Sequence, residues 1–163
     1  MKKLIIPLML VLLLSACGFH LRGMIDVPKW LNNVAFLTKN DDKQFLSLLK
    51  AQLEGYSIHV NPDPGQAQYW LIINQIDLQQ QIVSVGASTN PRQYILTLAV
   101  EFMLQTRKGE VIKPTRKIIV SRQLTVNNDR ILGSNDEERI LVGEMKRDAV
   151  MQMINLLSHY NPT

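Results

Sequence analysis

The strongest pattern along the chain is a two-residue alternation. Tyr94, Leu96, Leu98, Val100, Phe102 and Leu104 form an apolar stripe, and Gln93, Thr97, Glu101, Gln105 and Arg107 punctuate the other side. Such a division marks a strand with one face buried and one in water, as antiparallel sheets provide. Thr106-Arg107-Lys108-Gly109 supplies a turn, and residues 111–126 return as a second long strand in which Ile118, Val120, Arg122 and Leu124 alternate. Pro114 has no amide to donate, so the start of that strand is expected to be edge-like or bulged. Residues 69–85 read as a third long strand, with Trp70, Ile72, Ile76 and Leu78 on one face and Leu71 and Ile73 on the other. Its Gln79-Gln80-Gln81 run is expected to be a solvated section or a bulge, and residues 86–92 break the strand. Two shorter candidates are residues 34–37 and 56–60, the latter closed by the turn-rich Asn61-Pro62-Asp63-Pro64-Gly65.

Elsewhere the period is helical. Phe45, Leu48, Leu49 and Leu53 share a face, with Lys43, Gln44, Lys50 and Gln52 available for the other. Asn40, Asp41 and Asp42 suit the amino end, where they cap and oppose its partial positive charge. Gly55 is expected to supply the left-handed stop. After a loop over residues 127–133, Ser134 and Glu137 have the spacing of a capping box. From there Leu141, Met145, Ala149, Met153 and Leu156 form a stripe flanked by Ile140, Ile154 and Leu157, running to about Ser158. Helices and half-buried strands must share one core, which predicts an α+β fold: two helices packed on a mixed, mostly antiparallel four- or five-stranded sheet. The first two strands are separated by a helix and so are expected to lie parallel. Residues 56–60 are expected to pair with 69–85.

The amino terminus follows another logic. Lys2 and Lys3 precede an apolar run over residues 4–14, and the small residues Ser15 and Ala16 follow, which is the layout of a secretory signal peptide. The run falls short of the roughly 20 apolar residues that span a bilayer. Leu14-Ser15-Ala16-Cys17 resembles a bacterial lipobox, which implies cleavage before Cys17, a diacylglyceryl group on its sulfur and a further acyl chain on its amine. Several chains anchor stably where one binds marginally. The expected organisation is a signal peptide over residues 1–16, a lipidated tether over 17–33 and an α+β domain over 34–160.

Without its first 16 residues the chain keeps 147, with 16 Lys plus Arg against 14 Asp plus Glu. That small excess gives no reason to expect nucleic-acid binding. Cys17 is the only cysteine, so no internal disulfide is available. His20, His59 and His159 are scattered and make no zinc-spaced cluster. With Cys17 assigned to lipid there is no cysteine–histidine nucleophilic pair. Asp41, Asp42, Asp136, Glu137 and Glu138 sit at expected helix starts, where capping explains them. Gly86, Gly109 and Gly133 lie in separate turns and form no phosphate loop. No catalytic residue, metal or cofactor is expected; an envelope hydrolase would need a reactive cluster that the chain does not display.

Cys17-Gly18-Phe19-His20-Leu21-Arg22-Gly23 matches the Cys-Gly-aromatic-His-Leu-Arg start of the LptE, or rare lipoprotein B, family. A second resemblance runs from Tyr94 through Phe102 and Arg122 to Asn135-Asp136-Glu137-Glu138 and Val142-Gly143-Glu144-Met145. The resemblance implies a sheet carrying two helices, seated in the lumen of a large β-barrel partner, LptD. It implies a lipoprotein that plugs that barrel, helps assemble it and assists lipopolysaccharide transport to the outer leaflet. Location at the periplasmic side of the outer membrane is implied as well, held by the amino-terminal acyl chains and consistent with Gly18 after the cysteine. Lipopolysaccharide or partner contacts are then expected among Arg92, Arg107, Lys108, Arg116, Lys117, Arg122 and Arg130. The family's basic positions near two loops are replaced here by Ala87 and Ser134, and Arg92 and Arg130 are expected to supply part of the missing charge. The alternative is a lipoprotein scaffold of another envelope complex that binds no lipopolysaccharide.

Overall fold

The computed structural model describes residues 27–28, 30–39, 42–85, 91–126 and 131–159. Cys17, the signal segment, Ala87, Arg130 and most of the expected loops at 86–92 and 127–133 lie outside them. In chain order the elements are β1 (Asn33–Thr38), α1 (Lys43–Gly55), β2 (His59–Val60), β3 (Tyr69–Val85), β4 (Pro91–Thr106), β5 (Val111–Thr125) and α2 (Ile131–Ser158). The five strands form one sheet in the order β2-β1-β3-β4-β5, parallel at β2–β1 and β1–β3 and antiparallel beyond. Two helices on a mixed, mostly antiparallel sheet is the expected α+β architecture. One pairing differs: β2 joins β1 rather than β3, because β1 is inserted between them. The 56–60 strand also shrinks to two residues, since its first three positions form the turn that caps the preceding helix.

The β4 stripe faces the core: Leu96, Leu98, Val100, Phe102 and Leu104 are buried, and Tyr94 is partly buried against them. They meet Phe45, Leu49 and Leu53 of α1, Ile118, Val120 and Leu124 of β5, and Met145, Ala149, Met153, Ile154 and Leu157 of α2 in one core. Packing begins before residue 34, with Leu31 buried and Val27 and Trp30 against the core. β3 departs from simple alternation. A register shift between Ile73 and Gln75 leaves Asn74 as an extra residue, and such a bulge exchanges the faces beyond it. Leu71, Ile73, Ile76 and Leu78 therefore share the helix side, whereas Trp70 and Ile72 lie on the other. Gln79, Gln80 and Gln81 are exposed but pair in register with Thr97, Leu96 and Ile95, so the run is solvated and unbulged. β5 is an edge strand and is also bulged at Pro114-Thr115, as three of its steps from Lys113 to Arg116 oppose two of β4.

The helix ends follow from capping. Asp42 accepts the Phe45 N–H at 2.9 Å, closing the start of α1. At the other end the left-handed residue is Ser57 (φ 63°), two positions beyond Gly55. Ile58 N–H donates to Leu53 O at 3.0 Å and Ser57 N–H to Glu54 O at 2.9 Å, a Schellman closure in which Ile58 and Leu53 are both buried. Gly55 is simply the last helical residue. α2 begins at Ile131, so Ser134 lies within its first turn instead of capping it. Its 28 residues give a rod of roughly 42 Å. Ile140, expected on its packed side, is 59% exposed.

Candidate functional site

Both helices cover the same face of the sheet, and among the described residues no layer covers the opposite face. Register places Asp77, Gln79 and Gln81 of β3, Gln93 to Glu101 in alternation on β4, and Lys117 to Thr125 in alternation on β5 on this open face. Its side chains form cross-strand polar contacts. Ser84 Oγ donates to Gln93 Oε1 at 3.3 Å, the Thr97 and Ser121 hydroxyls lie 3.3 Å apart, and Lys117 Nζ is 3.4 Å from Glu101 Oε1. Gln79 Nε2 donates to Asp77 Oδ2 at 2.8 Å. Ile95 and Ile119 are the apolar side chains most exposed among them.

The expected contact residues do not converge on one pocket. Arg107 and Lys108 sit at the β4–β5 turn, where Gly109 takes the left-handed conformation (φ 89°). Arg107 donates from Nη1 to the Gly65 carbonyl at 2.6 Å. Arg116 pairs with Phe102 in register and so lies on the helix side, near one end of β5. Lys117, its neighbour, is on the open face. Arg122 returns to the helix side and makes an ion pair with Asp148 of α2. Arg92 falls inside β4, next to Gln93, instead of in a preceding loop. Gln93 pairs with both Ser84 and Thr125, so the β3–β4 and β5–α2 connections emerge at the same end of the sheet.

Two basic residues with defined work were not singled out by sequence. Lys113 is only 7% exposed and donates from Nζ to the Leu156 carbonyl, one of the last carbonyls of α2, which lack intrahelical partners. A cation there also opposes the negative end of the helix. Burial, and secondarily Arg116, push its ammonium below the usual lysine range. Lys146 reaches from α2 to the start of α1, lying 2.7 Å from Asp42 Oδ2 and 3.0 Å from Gln44 Oε1. Burial raises the Asp42 carboxyl, but Lys146 and the Phe45 and Gln44 amides together hold it below the usual carboxylate value. Neither role has a local signal, because each partner lies far away in sequence.

Among the described residues no three His, Cys, Asp or Glu side chains group as a metal site. No described helix is long and apolar enough to cross a membrane.

Residues 25–157 match the sequence model of a family described as LptE, Lipopolysaccharide-assembly. Among solved structures, an uncharacterized lipoprotein B from Nitrosomonas europaea is similar with a TM-score of 0.72 and 20% identity, over 90% of this chain and 99% of that one. A minor lipoprotein from Acinetobacter baumannii gives 0.66 and 20%, over 78% and 91%. The rare lipoprotein B from Shewanella oneidensis gives 0.65 and 20%, over 77% and 93%. At that identity these likenesses concern the fold. A comparison with curated protein sequences gave no match.

Proposed function

The chain belongs to the LptE lipopolysaccharide-assembly family of noncatalytic outer-membrane lipoproteins, and on that premise we propose that it plugs the LptD β-barrel, helps assemble it and assists lipopolysaccharide transport to the outer leaflet. The observation that carries this reading is the open polar face of the sheet. The lumen walls of outer-membrane barrels are commonly polar, and a ladder of amide, hydroxyl and paired charged groups can exchange water for wall groups without burying an unpaired charge. Shape supports it too. β3 extends roughly 56 Å, whereas five strands spaced about 4.8 Å apart are only about 20 Å across, a proportion suited to a tube.

In this reading residues 1–16 are removed, Cys17 carries the acyl chains, and the chain up to Val27 tethers the domain. Arg92 and Arg130 supply cations to lipopolysaccharide phosphates at the end of the sheet where the β3–β4 and β5–α2 connections emerge. Arginine suits phosphate because its planar donors can bind two oxygens at once. Arg116, Lys117 and Arg122 are further partner contacts; Lys117 and Arg122 already have carboxylate partners, which limits what they can add.

Mild detergent extraction followed by pulldown of the lipidated protein tests the plug. A large barrel protein is expected to co-purify, and a photo-crosslinking residue at Thr97 or Ser121 should label it. Absence of a barrel, or recovery of another envelope complex in its place, sinks the reading. For the lipid step, lipopolysaccharide binding by Arg92→Ala/Arg130→Ala is expected to weaken while the fold persists; unchanged binding removes the proposed charge compensation.

A further inference from the structure

Both tryptophans of the chain occupy one end of the sheet. Trp30 meets Tyr69 edge-on with ring centroids 5.2 Å apart, and Trp70 donates from Nε1 to the Pro64 carbonyl at 2.9 Å. All three rings are only partly buried. Tyr69 pairs with Thr106, which brings the β4–β5 turn alongside, and Arg107 N–H donates to the Gln68 carbonyl at 3.0 Å. Between them is an open hollow of about 420 Å³, lined chiefly by Gln66, Gln68, Tyr69, Arg107, Lys108 and Glu110.

The charges at this end are unequal in availability. Arg107 and Lys108 are exposed, and Lys108 makes no ion pair with a described residue. Of the nearby carboxylates, Asp63 already accepts from the Gly65 N–H at 2.8 Å and Gln66 Nε2 at 3.3 Å within its own turn. Glu110 faces the hollow and offsets part of the positive charge.

The chain also enters the domain here, through Val27 and Trp30. Nine residues lie between Cys17 and Val27, and the ten steps from one to the other span at most roughly 35 Å. The far end of β3 is roughly 56 Å from its start, beyond that reach. A lipid surface holding Cys17 can therefore meet this end of the domain and cannot meet the far end of β3. Tryptophan and tyrosine favour the headgroup layer because they join an apolar ring to a polar tip, and surface lysine and arginine are drawn to anionic headgroups.

Resting on the lipid-anchored reading above, we propose that the Trp30–Tyr69–Trp70 end, with Arg107 and Lys108, docks on the phosphate-bearing headgroup surface of the leaflet that anchors the protein. This second contact orients the domain relative to the membrane, which attachment at Cys17 alone does not do.

The test uses the full mature chain carrying Cys17→Ser, so that acyl chains do not mask the contact, and vesicles of phosphatidylcholine with or without 30% phosphatidylglycerol, a fraction of about one lipid in three chosen to give a strong anionic surface. Because both tryptophans are at the proposed contact, their emission reports it directly. A blue shift and partitioning onto the anionic vesicles are expected. Each cation is expected to contribute roughly fivefold, so Arg107→Ala/Lys108→Ala should weaken partitioning roughly 25-fold. Glu110→Gln, which removes the opposing carboxylate, should strengthen it up to about fivefold. Equal partitioning onto both vesicle types, or no effect of either variant, overturns the proposal. So does an equal spectral shift with inorganic phosphate alone, which would assign a free-anion site instead. Barrel co-purification by the lipidated Arg107→Ala/Lys108→Ala protein is expected unchanged; its loss would make these residues barrel contacts and overturn the membrane assignment. The vesicle measurement contains no barrel, so failure of the plug reading, seen as loss of co-purification by the unsubstituted protein, is a separate result.

Discussion

Asp42 closes α1 and fastens it to α2, and removing its carboxyl should separate those two contributions. Its Oδ1 accepts the Phe45 N–H at 2.9 Å, while Lys146 Nζ lies 2.7 Å from Oδ2. Asp42→Ala loses an N-cap, which costs about 1 kcal/mol. It also leaves the Lys146 ammonium, with its side chain 11% exposed, without an anion. Pairs at this depth fall between the exposed limit of about 0–1 kcal/mol and the buried limit of about 3–5 kcal/mol. Gln44 Oε1 remains 3.0 Å from the ammonium and softens the loss, so about 2 kcal/mol is expected for the pair and about 3 kcal/mol in all. Asp42→Asn keeps a competent cap and should cost only the pair's share. Lys146→Met leaves no unpaired ammonium and should cost about 1 kcal/mol. With a urea slope of about 2 kcal/mol/M, the midpoint falls by about 1.5 M for Ala and about 1 M for Asn. Circular dichroism during urea unfolding reads these shifts, and the four chains of the Asp42→Asn/Lys146→Met cycle isolate the coupling. The pH dependence supplies a sign check. Since Asp42 titrates lower when folded, its contribution is present above the unfolded value near ~3.9 and is lost as pH falls through the folded value. Asp42→Asn should abolish that part of the acid slope. A midpoint shift below about 0.3 M for Ala, set against the ~1.5 M expected, or an unaltered acid slope in Asn, refutes the clamp.

Gly55 and Ser57 give opposite tests of the same helix end. Gly55→Ala should stabilise the fold by about 0.5–1 kcal/mol, because a Cβ there meets nothing within 4 Å and the residue is helical; destabilisation on thermal melting would contradict the Schellman closure at Ser57. Ser57→Gly should add about 1 kcal/mol by relieving the left-handed backbone, read as a higher urea midpoint. Lys113 titrates lower when folded, so the folded protein releases this proton first and stability gains as pH rises through the folded value towards the unfolded value near ~10.4; Lys113→Met should lack that gain in urea midpoints measured from neutral to alkaline pH. Phe102→Ala, at a fully buried position between both helices and the sheet, should cost about 3–5 kcal/mol, and a loss below 1 kcal/mol would place Phe102 outside the core.

The sequence by itself determined the elements whose cause is local. β4 alternates without interruption from Tyr94 to Leu104, and its buried face is therefore legible residue by residue. Pro114 announced a disturbance at a sheet edge because a missing amide acts wherever the strand lies. Asp42 was readable as a cap for the same reason. The family resemblance likewise needed only the residues themselves.

Tertiary structure decided what depends on distant partners. The extra residue at Asn74 answers to pairing with β4, so the faces of Trp70 and Ile72 against Ile76 and Leu78 were misassigned by alternation alone. β1 lies between β2 and β3 because a parallel crossover through α1 places it there, a choice that local sequence does not encode. Gly55 looks like a helix stop on propensity, yet the buried pairing of Ile58 with Leu53 moves the left-handed residue to Ser57. Lys113 and Lys146 acquire their partners across 43 and 104 residues, and the open polar face exists only because both helices chose the other one. Period and capping are written in neighbouring residues, whereas register, strand order and charge partners arise from contacts formed only when the chain has folded.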